Sequence, residues 1–144
     1  MSVRLIFKYF VSFALVLLWV YAAVSKLIDW DHFKWEMRNQ VLPVPLKEML
    51  IYALPASELI TAGLLISDRT FTAGIYTSFI LIVAFTAYIG LVLGHAFRHI
   101  PCSCGGILQH LGWTEHLFFN LFFVALTISI IFMTRKGGKA TAMK

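Results

Sequence analysis

The sequence predicts an all-α integral membrane protein: a four-helix bundle with a short amphipathic periplasmic segment between helices 1 and 2. Its 144 residues are 60% hydrophobic and 13% charged, whereas soluble domains carry about 25% charged residues. The charges are segregated and leave long uncharged runs between short polar breaks. Because one span needs roughly 20 apolar residues, four spans nearly fill the chain, and we expect a single transmembrane domain over residues 1–144.

The four expected spans cover about 5–26, 47–66, 71–94 and 114–133. The first carries Arg4 and Lys8 at its start, so a signal peptide is the alternative interpretation. Its apolar core is longer than the roughly 7–15 residues of a signal peptide, and no clean cleavage site precedes a soluble domain. A retained membrane helix is therefore favoured.

Residues 29–45 form a tryptophan-rich segment between the first two spans. Charges separate apolar residues that recur near helical spacing, namely Trp30, Phe33, Met37 and Leu42. This pattern predicts a short helix on the membrane surface. Pro43 and Pro45 should end it and force an extended connection.

Two charged residues of the spans are candidates for a buried polar site, Lys26 and Glu58. Lys26 lies at the edge of the first span, where a snorkelling interfacial anchor is the simpler interpretation and an ion pair with an acid of the next helix is the alternative. Glu58 lies deep in the second span, where an isolated charge is costly and must be paired, hydrogen-bonded or protonated. Thr61 is one turn further on the same face and is expected to help. A functional acid and a structural partner for Lys26 both remain open interpretations of Glu58.

Four spans place both termini on one side of the membrane. That side carries seven of the cations, Arg4, Lys8, Arg69, Arg135, Lys136, Lys139 and Lys144. The positive-inside rule then puts the termini in the cytoplasm. In a bacterial inner membrane, the loop between spans three and four faces the periplasm, where disulfides persist. The net charge of +5 thus reflects topology, and nucleic acid is not an expected partner.

That loop contains both cysteines, in the stretch Pro101–Gly106. In a bent loop, the Cα atoms of Cys102 and Cys104 can reach the ~4.4–6.8 Å that a disulfide needs. Such a small ring gains little stability from loop closure, so it suits exchange better than stapling. His99 and the start of the fourth helix could lower a thiol pKa and favour the thiolate.

Two further interpretations of the loop remain open. His95 and His99 share a helical face and precede Cys102 and Cys104, and this set of sulfur and imidazole groups suits Zn or Cu(I). The spacing matches no standard zinc finger, so exchange is favoured over a metal site. A loop disulfide that never turns over is the remaining interpretation.

Three stretches together resemble a known family. They are residues 22–29, residues 54–63, and residues 102–106 with 111–117 and Asn120. The chain resembles the DoxX-like superfamily of four-helix membrane proteins, and within it the redox-associated MauE type. The resemblance implies a membrane partner of periplasmic thiol–disulfide chemistry, with a maturation role in methylamine metabolism beside a thioredoxin-like or cysteine-rich protein.

The resemblance also implies roles for individual residues. Cys102 and Cys104 would be the redox pair. Apart from the resemblance, His99, His110 or His116 is expected to act as the local proton acceptor, since imidazole titrates near neutral pH. Lys26 and Glu58 would be the intramembrane polar pair that binds a cofactor, for which a quinone is the candidate. Because there is one cysteine pair, an internal two-step relay is excluded. Either a soluble partner supplies the other cysteines, or the pair does not transfer electrons to a quinone at all.

If the cysteine pair exchanges with a partner, the protein is a component of a thiol–disulfide oxidoreductase. There are two rival hypotheses. The first is a non-enzymatic membrane adaptor or assembly factor, which would need the helix faces and the tryptophan-rich segment rather than the thiols. The second is a metal-handling membrane protein.

Overall fold

A computed structural model describes residues 3–94 and 113–141 of the chain. Within these ranges the structure is helical and contains no strand. The helices are α1 (Val3–Ile28), α2 (Trp30–Arg38), α3 (Val44–Ile66), α4 (Phe71–Leu93) and α5 (Trp113–Thr141). All of them except α2 are long and apolar enough to cross a membrane. The predicted fold class, a four-helix membrane bundle with a short helix after the first span, is confirmed.

The four long helices alternate in direction and pack in the cyclic order α1, α3, α4, α5. Lys8, near the start of α1, forms an ion pair at 2.7 Å with Asp68, just after α3. One turn further along α1, the Ser12 hydroxyl donates to the Leu65 carbonyl at 3.2 Å. These contacts fix α1 antiparallel to α3. Tyr88, near the end of α4, bonds to Gln40, just after α2, and His116, in the first turn of α5, lies within electrostatic range of Lys26, near the end of α1. The end of α1, the end of α4 and the start of α5 therefore lie at the same end of the bundle.

The core is a seam of one side-chain row from each long helix. On α1 the buried row is Val11, Leu15, Trp19, Ala23 and Lys26, with the spacing of three and four residues that keeps side chains on one helix face. The opposite faces carry large exposed apolar side chains, such as Phe10, Phe13, Phe118 and Phe122. Exposed apolar faces suit contact with lipid, which confirms the expectation of a lipid-embedded protein.

Gly74 allows α3 and α4 to approach each other closely. A Cβ atom at this position would lie 2.9 Å from the Leu65 backbone nitrogen and 3.0 Å from the Leu64 carbonyl carbon. Small residues at such contacts are the usual means of packing helices in lipid, because apolar side chains gain no hydrophobic free energy from leaving a hydrocarbon solvent.

The connection between α2 and α3 differs from the sequence prediction. Pro43 has the expected extended backbone (φ −57°, ψ 141°), but α3 begins at Val44 and includes Pro45 in its first turn. Proline is tolerated there because the first turn has no intrahelical acceptor for its missing N–H. The expectation that Pro45 would continue an extended connection is therefore wrong.

The short helix α2 is amphipathic, as predicted. Its buried Phe33 and Met37 pack against Ile51 of α3. Its outer face exposes Trp35, and Arg38 forms an ion pair with Glu48 at 2.8 Å. The apolar side of α2 thus covers the first half of α3.

One hydrogen bond crosses the middle of the bundle. The buried Trp19 indole N–H of α1 donates to the Ser78 hydroxyl of α4 at 2.7 Å. Both side chains are almost fully buried, at 2% and 0% exposure. Neither can find water at this depth, so each depends on the other for its hydrogen bond.

We expect Ser78→Ala to lower the free energy of unfolding by about 1–3 kcal/mol, because it leaves the Trp19 N–H buried without an acceptor. Unfolding of the protein in detergent micelles, followed by circular dichroism, measures the change. Ser129→Ala is the matched control, since Ser129 is exposed and bonds only to the Ala125 carbonyl of its own helix. Equal effects of the two substitutions would contradict a stabilising role for the crossing bond.

Candidate functional site

Lys26 ends the buried row of α1 and points into the bundle. Its side chain is only 6% exposed. The Nζ atom donates to Glu58 Oε1 at 2.8 Å and to the Ala22 carbonyl at 3.0 Å, and it lies 6.0 Å from the centre of the Phe33 ring of α2. The interpretation of Lys26 as a snorkelling anchor is wrong, and the alternative, an ion pair with an acid of the next span, is confirmed.

Glu58, the partner of Lys26, is 1% exposed in α3. Its Oε1 atom accepts from Lys26, whereas Oε2 is buried and has no hydrogen-bond partner among the described residues. Thr61 is fully buried one turn further on, but its hydroxyl donates to the Ser57 carbonyl at 2.7 Å. The expected help from Thr61 is therefore absent from the described hydrogen bonds of Glu58, because the backbone of its own helix uses the hydroxyl.

The ion pair is a costly feature to keep inside a membrane protein. Desolvating two charges costs several kcal/mol for each ion, and the Coulomb attraction repays this only with good geometry and further hydrogen bonds. Here the geometry is good, but the carboxylate is only half satisfied. Such a pair contributes little to stability, yet removing one member leaves the other charge unpaired in a low-dielectric interior.

His116 brings a third helix to the pair. It lies in the first turn of α5 and is 6% exposed. The Lys26 ammonium is close enough to act electrostatically on the His116 imidazole. The structure therefore brings two of the six predicted site residues into contact, Lys26 of α1 and Glu58 of α3, and His116 of α5 lies within electrostatic range of Lys26.

The other three predicted site residues, Cys102, Cys104 and His99, lie outside the described residues, in the 95–112 segment that connects α4 to α5. Their roles stay predictions. Among residues 3–94 and 113–141, no group of three or more His, Cys, Asp or Glu side chains could hold a metal ion. The metal hypothesis depends on cysteines and histidines of the same undescribed segment and also stays a prediction.

A second polar contact at this end of the bundle was not predicted. The Tyr88 hydroxyl of α4 donates to the side-chain Oε1 of Gln40, which follows α2. Gln40 is only 4% exposed. The sequence gives no signal for this contact, because Gln40 and Tyr88 are 48 positions apart and neither residue indicates a partner by its type or position.

His32 and Glu36 form a further pair on α2, one turn apart. His32 Nε2 lies 3.1 Å from Glu36 Oε1, and the carboxylate side chain is 8% exposed whereas the imidazole is 43% exposed. Burial raises the pKa of Glu36, and the charge and hydrogen bond of His32 oppose that rise. The carboxylate of Glu36 is thus paired with His32 of the same helix, α2, and Lys26 is paired with Glu58.

The fold and the buried pair define a multi-pass membrane protein with an intramembrane charged site. Residues 4–133 match the sequence model of the family described as methylamine utilisation protein MauE. Because the match covers most of the chain, the protein belongs to this family, and the predicted MauE-type resemblance is confirmed. Searches of curated proteins and of solved structures found no match. The wider DoxX-like assignment stays a prediction.

We expect Lys26→Met to lower the free energy of unfolding by about 3–5 kcal/mol, because it leaves the Glu58 carboxylate buried without its partner. Denaturant unfolding in mixed micelles measures this change. Lys8→Met is the matched control: it removes an ion pair of the same α1–α3 interface whose side chains are 27% and 79% exposed. Exposed pairs contribute about 1 kcal/mol or less.

The double substitution Lys26→Met with Glu58→Met removes both charges and should recover most of the lost stability, since an apolar pair can replace a buried ion pair at little cost. A double variant as unstable as Lys26→Met alone would show that the loss comes from packing and not from the unpaired charge.

Proposed function

We propose that this protein is an inner-membrane component of periplasmic thiol–disulfide chemistry with a MauE-like maturation role. In this proposal a Cys102–Cys104 disulfide exchanges with a thioredoxin-like or cysteine-rich partner. The observation that carries the proposal is the family match over residues 4–133. That stretch includes both cysteines as well as the buried Lys26, Glu58 and His116.

The proposed orientation has both termini in the cytoplasm and the 95–112 segment in the periplasm. The alternating helix directions support it, because Val3 and Thr141 begin and end helices at the same end of the bundle. That end carries most of the cations, as the positive-inside rule requires of the cytoplasmic side. Lys26, α2 and the start of α5 would then lie toward the periplasm.

The proposed reaction is a two-electron exchange. A partner thiolate attacks one sulfur of the Cys102–Cys104 disulfide, which forms a mixed disulfide and releases the other cysteine as a thiolate. A second partner thiolate then attacks the mixed disulfide, so that the partner leaves as a disulfide and Cys102 and Cys104 are reduced to thiols. His99 or His116 would accept the proton of an attacking thiol and return it to a released thiolate, because imidazole titrates near neutral pH.

The buried pair fits a role in holding a cofactor head group. Lys26 offers a donor, and the unpartnered Glu58 Oε2 offers an acceptor, which are the two kinds of group that a quinone and its reduced form require. A bound quinone would supply the two-electron acceptor that restores the disulfide. Lys26 and Glu58 would position the head group, and His116 would hold a proton close to it.

A non-enzymatic adaptor or assembly factor is the second candidate. The exposed surface of α2 favours it, because Trp35 is 60% exposed and stacks on the exposed His32 ring with centroids 6.0 Å apart. An exposed tryptophan outside the spans is suited to contact with a protein surface or lipid head groups. This role would require α2 and no thiol.

We expect Cys102→Ser or Cys104→Ser to trap an oxidised partner as a mixed disulfide, because the remaining thiolate can attack the partner's disulfide and release one partner thiolate, while this protein offers no second thiol to resolve the bond. Non-reducing electrophoresis with mass spectrometry of the trapped species checks this. The variant with both cysteines replaced is the control and should trap nothing.

Complementation of a deletion strain separates the two candidates. If both single variants complement and trap no partner, the exchange mechanism is wrong. Full complementation by the double serine variant, with loss of function on Trp35→Ala, would support the adaptor.

A further inference from the structure

Lys26 does not use all of its hydrogen-bond donors within the described residues. A lysine ammonium has three N–H donors. Two are used, one by Glu58 Oε1 and one by the Ala22 carbonyl. No acceptor for the third lies among residues 3–94 and 113–141, and the Phe33 ring, at 6.0 Å, is a weak cation–π contact only. One donor of a buried cation therefore remains available.

Within the described residues, Glu58 Oε2 lacks a hydrogen-bond donor, whereas one N–H of Lys26 lacks an acceptor. Oε2 is a buried acceptor without a donor in the described part of the chain, and the nearest side chain of suitable chemistry on the same helix, Thr61, is committed to the Ser57 carbonyl. An unsatisfied buried charged group costs more than the 1–3 kcal/mol typical of a neutral one. A feature this unfavourable, held between two spans, indicates a group that another molecule completes.

We propose that Lys26 and Glu58 form a binding site for a single hydroxyl group carried by a neutral, lipid-soluble molecule. The ligand hydroxyl donates to Glu58 Oε2 and accepts from Lys26 Nζ. One hydroxyl can satisfy both groups, because it has one donor and two acceptor lone pairs and the two charged groups are already held within 2.8 Å of each other. The inference rests on the proposed function only in that it concerns the same buried pair.

The charges at the pair select among ligand chemistries. A carboxylate ligand would place a second anion beside Glu58, and an ammonium ligand would place a second cation beside Lys26. A carbonyl group accepts from Lys26 but has no proton to give, so Glu58 Oε2 would stay unsatisfied. The site consequently favours the hydroxyl form of a redox ligand over its carbonyl form.

Two matched probes test the site: para-dodecylphenol and its methyl ether, which have nearly the same apolar surface and differ in the hydroxyl proton. Isothermal titration of the protein in detergent micelles measures the dissociation constants. The phenol should bind about tenfold or more tightly than the ether, since a hydrogen bond to a charged group contributes roughly 1.5–3 kcal/mol. Equal affinities, or no saturable binding of the phenol, would overturn the proposal.

Substitutions at the buried pair then test whether it causes the preference for phenol over ether. In Glu58→Gln the amide carbonyl can take the place of Oε1 beside Lys26, and the amide N–H₂ replaces the free acceptor with a donor. The preference for phenol over ether should fall to near unity. Thr61→Val is the control, because it changes a buried hydroxyl one turn away that is bonded only to the backbone, and it should leave the preference unchanged.

If Glu58→Gln does not fold, a second variant still tests the proposal. The double variant Lys26→Met with Glu58→Met carries neither charge nor a strong hydrogen-bonding group at the pair, and it too should bind phenol and ether equally. A persistent phenol preference in the double variant would place the hydroxyl elsewhere in the protein and refute the assignment. If water alone completes the pair, neither probe will bind saturably.

The test is independent of the cysteine chemistry. The variant with Cys102 and Cys104 both replaced by serine should keep the phenol preference of the unmodified protein. Failure of the trapping experiment would leave this result standing, whereas loss of phenol selectivity in Glu58→Gln says nothing about disulfide exchange.

Discussion

The ion pair between Lys26 and Glu58 is the constraint on which the arrangement of the bundle depends. It joins α1 to α3 inside a protein whose outer surface is apolar, and it fixes the rotation of both helices, because neither charge can turn toward lipid without a large desolvation penalty. The pair is costly to maintain and incompletely hydrogen-bonded, since Glu58 Oε2 has no described partner. Stability alone does not explain such an arrangement, whereas a role in binding or proton transfer does.

The remaining specificity of the bundle comes from a few polar contacts and one close approach. Trp19 and Ser78 connect α1 to α4 across the core, Tyr88 and Gln40 connect α4 to the end of α2, and Gly74 lets α4 lie against the backbone of α3. In lipid, apolar side chains gain little from contacting each other rather than acyl chains, so directional bonds and small residues carry a larger share of the specificity than they do in a soluble bundle.

Two chemical centres follow from this arrangement. One is the cysteine pair in the connection between α4 and α5, where the proposed exchange with a soluble partner would occur. The other is the buried pair, and His116, in the first turn of α5, lies within electrostatic range of its Lys26. In the proposals above, a soluble partner would exchange thiols with the cysteine pair, and a lipid-soluble ligand would bind at the buried pair. The MauE family match covers both centres.

The sequence by itself determined the fold class, because long apolar runs interrupted by short polar breaks admit few alternatives to a helical membrane bundle. It also determined that α2 is amphipathic and that Glu58 must be neutralised or paired. Only the tertiary structure decided that Lys26 is the partner and that the Thr61 hydroxyl bonds to its own helix. Helical periodicity shows which residues share a face, but the rotation of each helix about its axis decides which faces meet. Lys26 and Glu58 are 32 positions apart, and only packing brings them together.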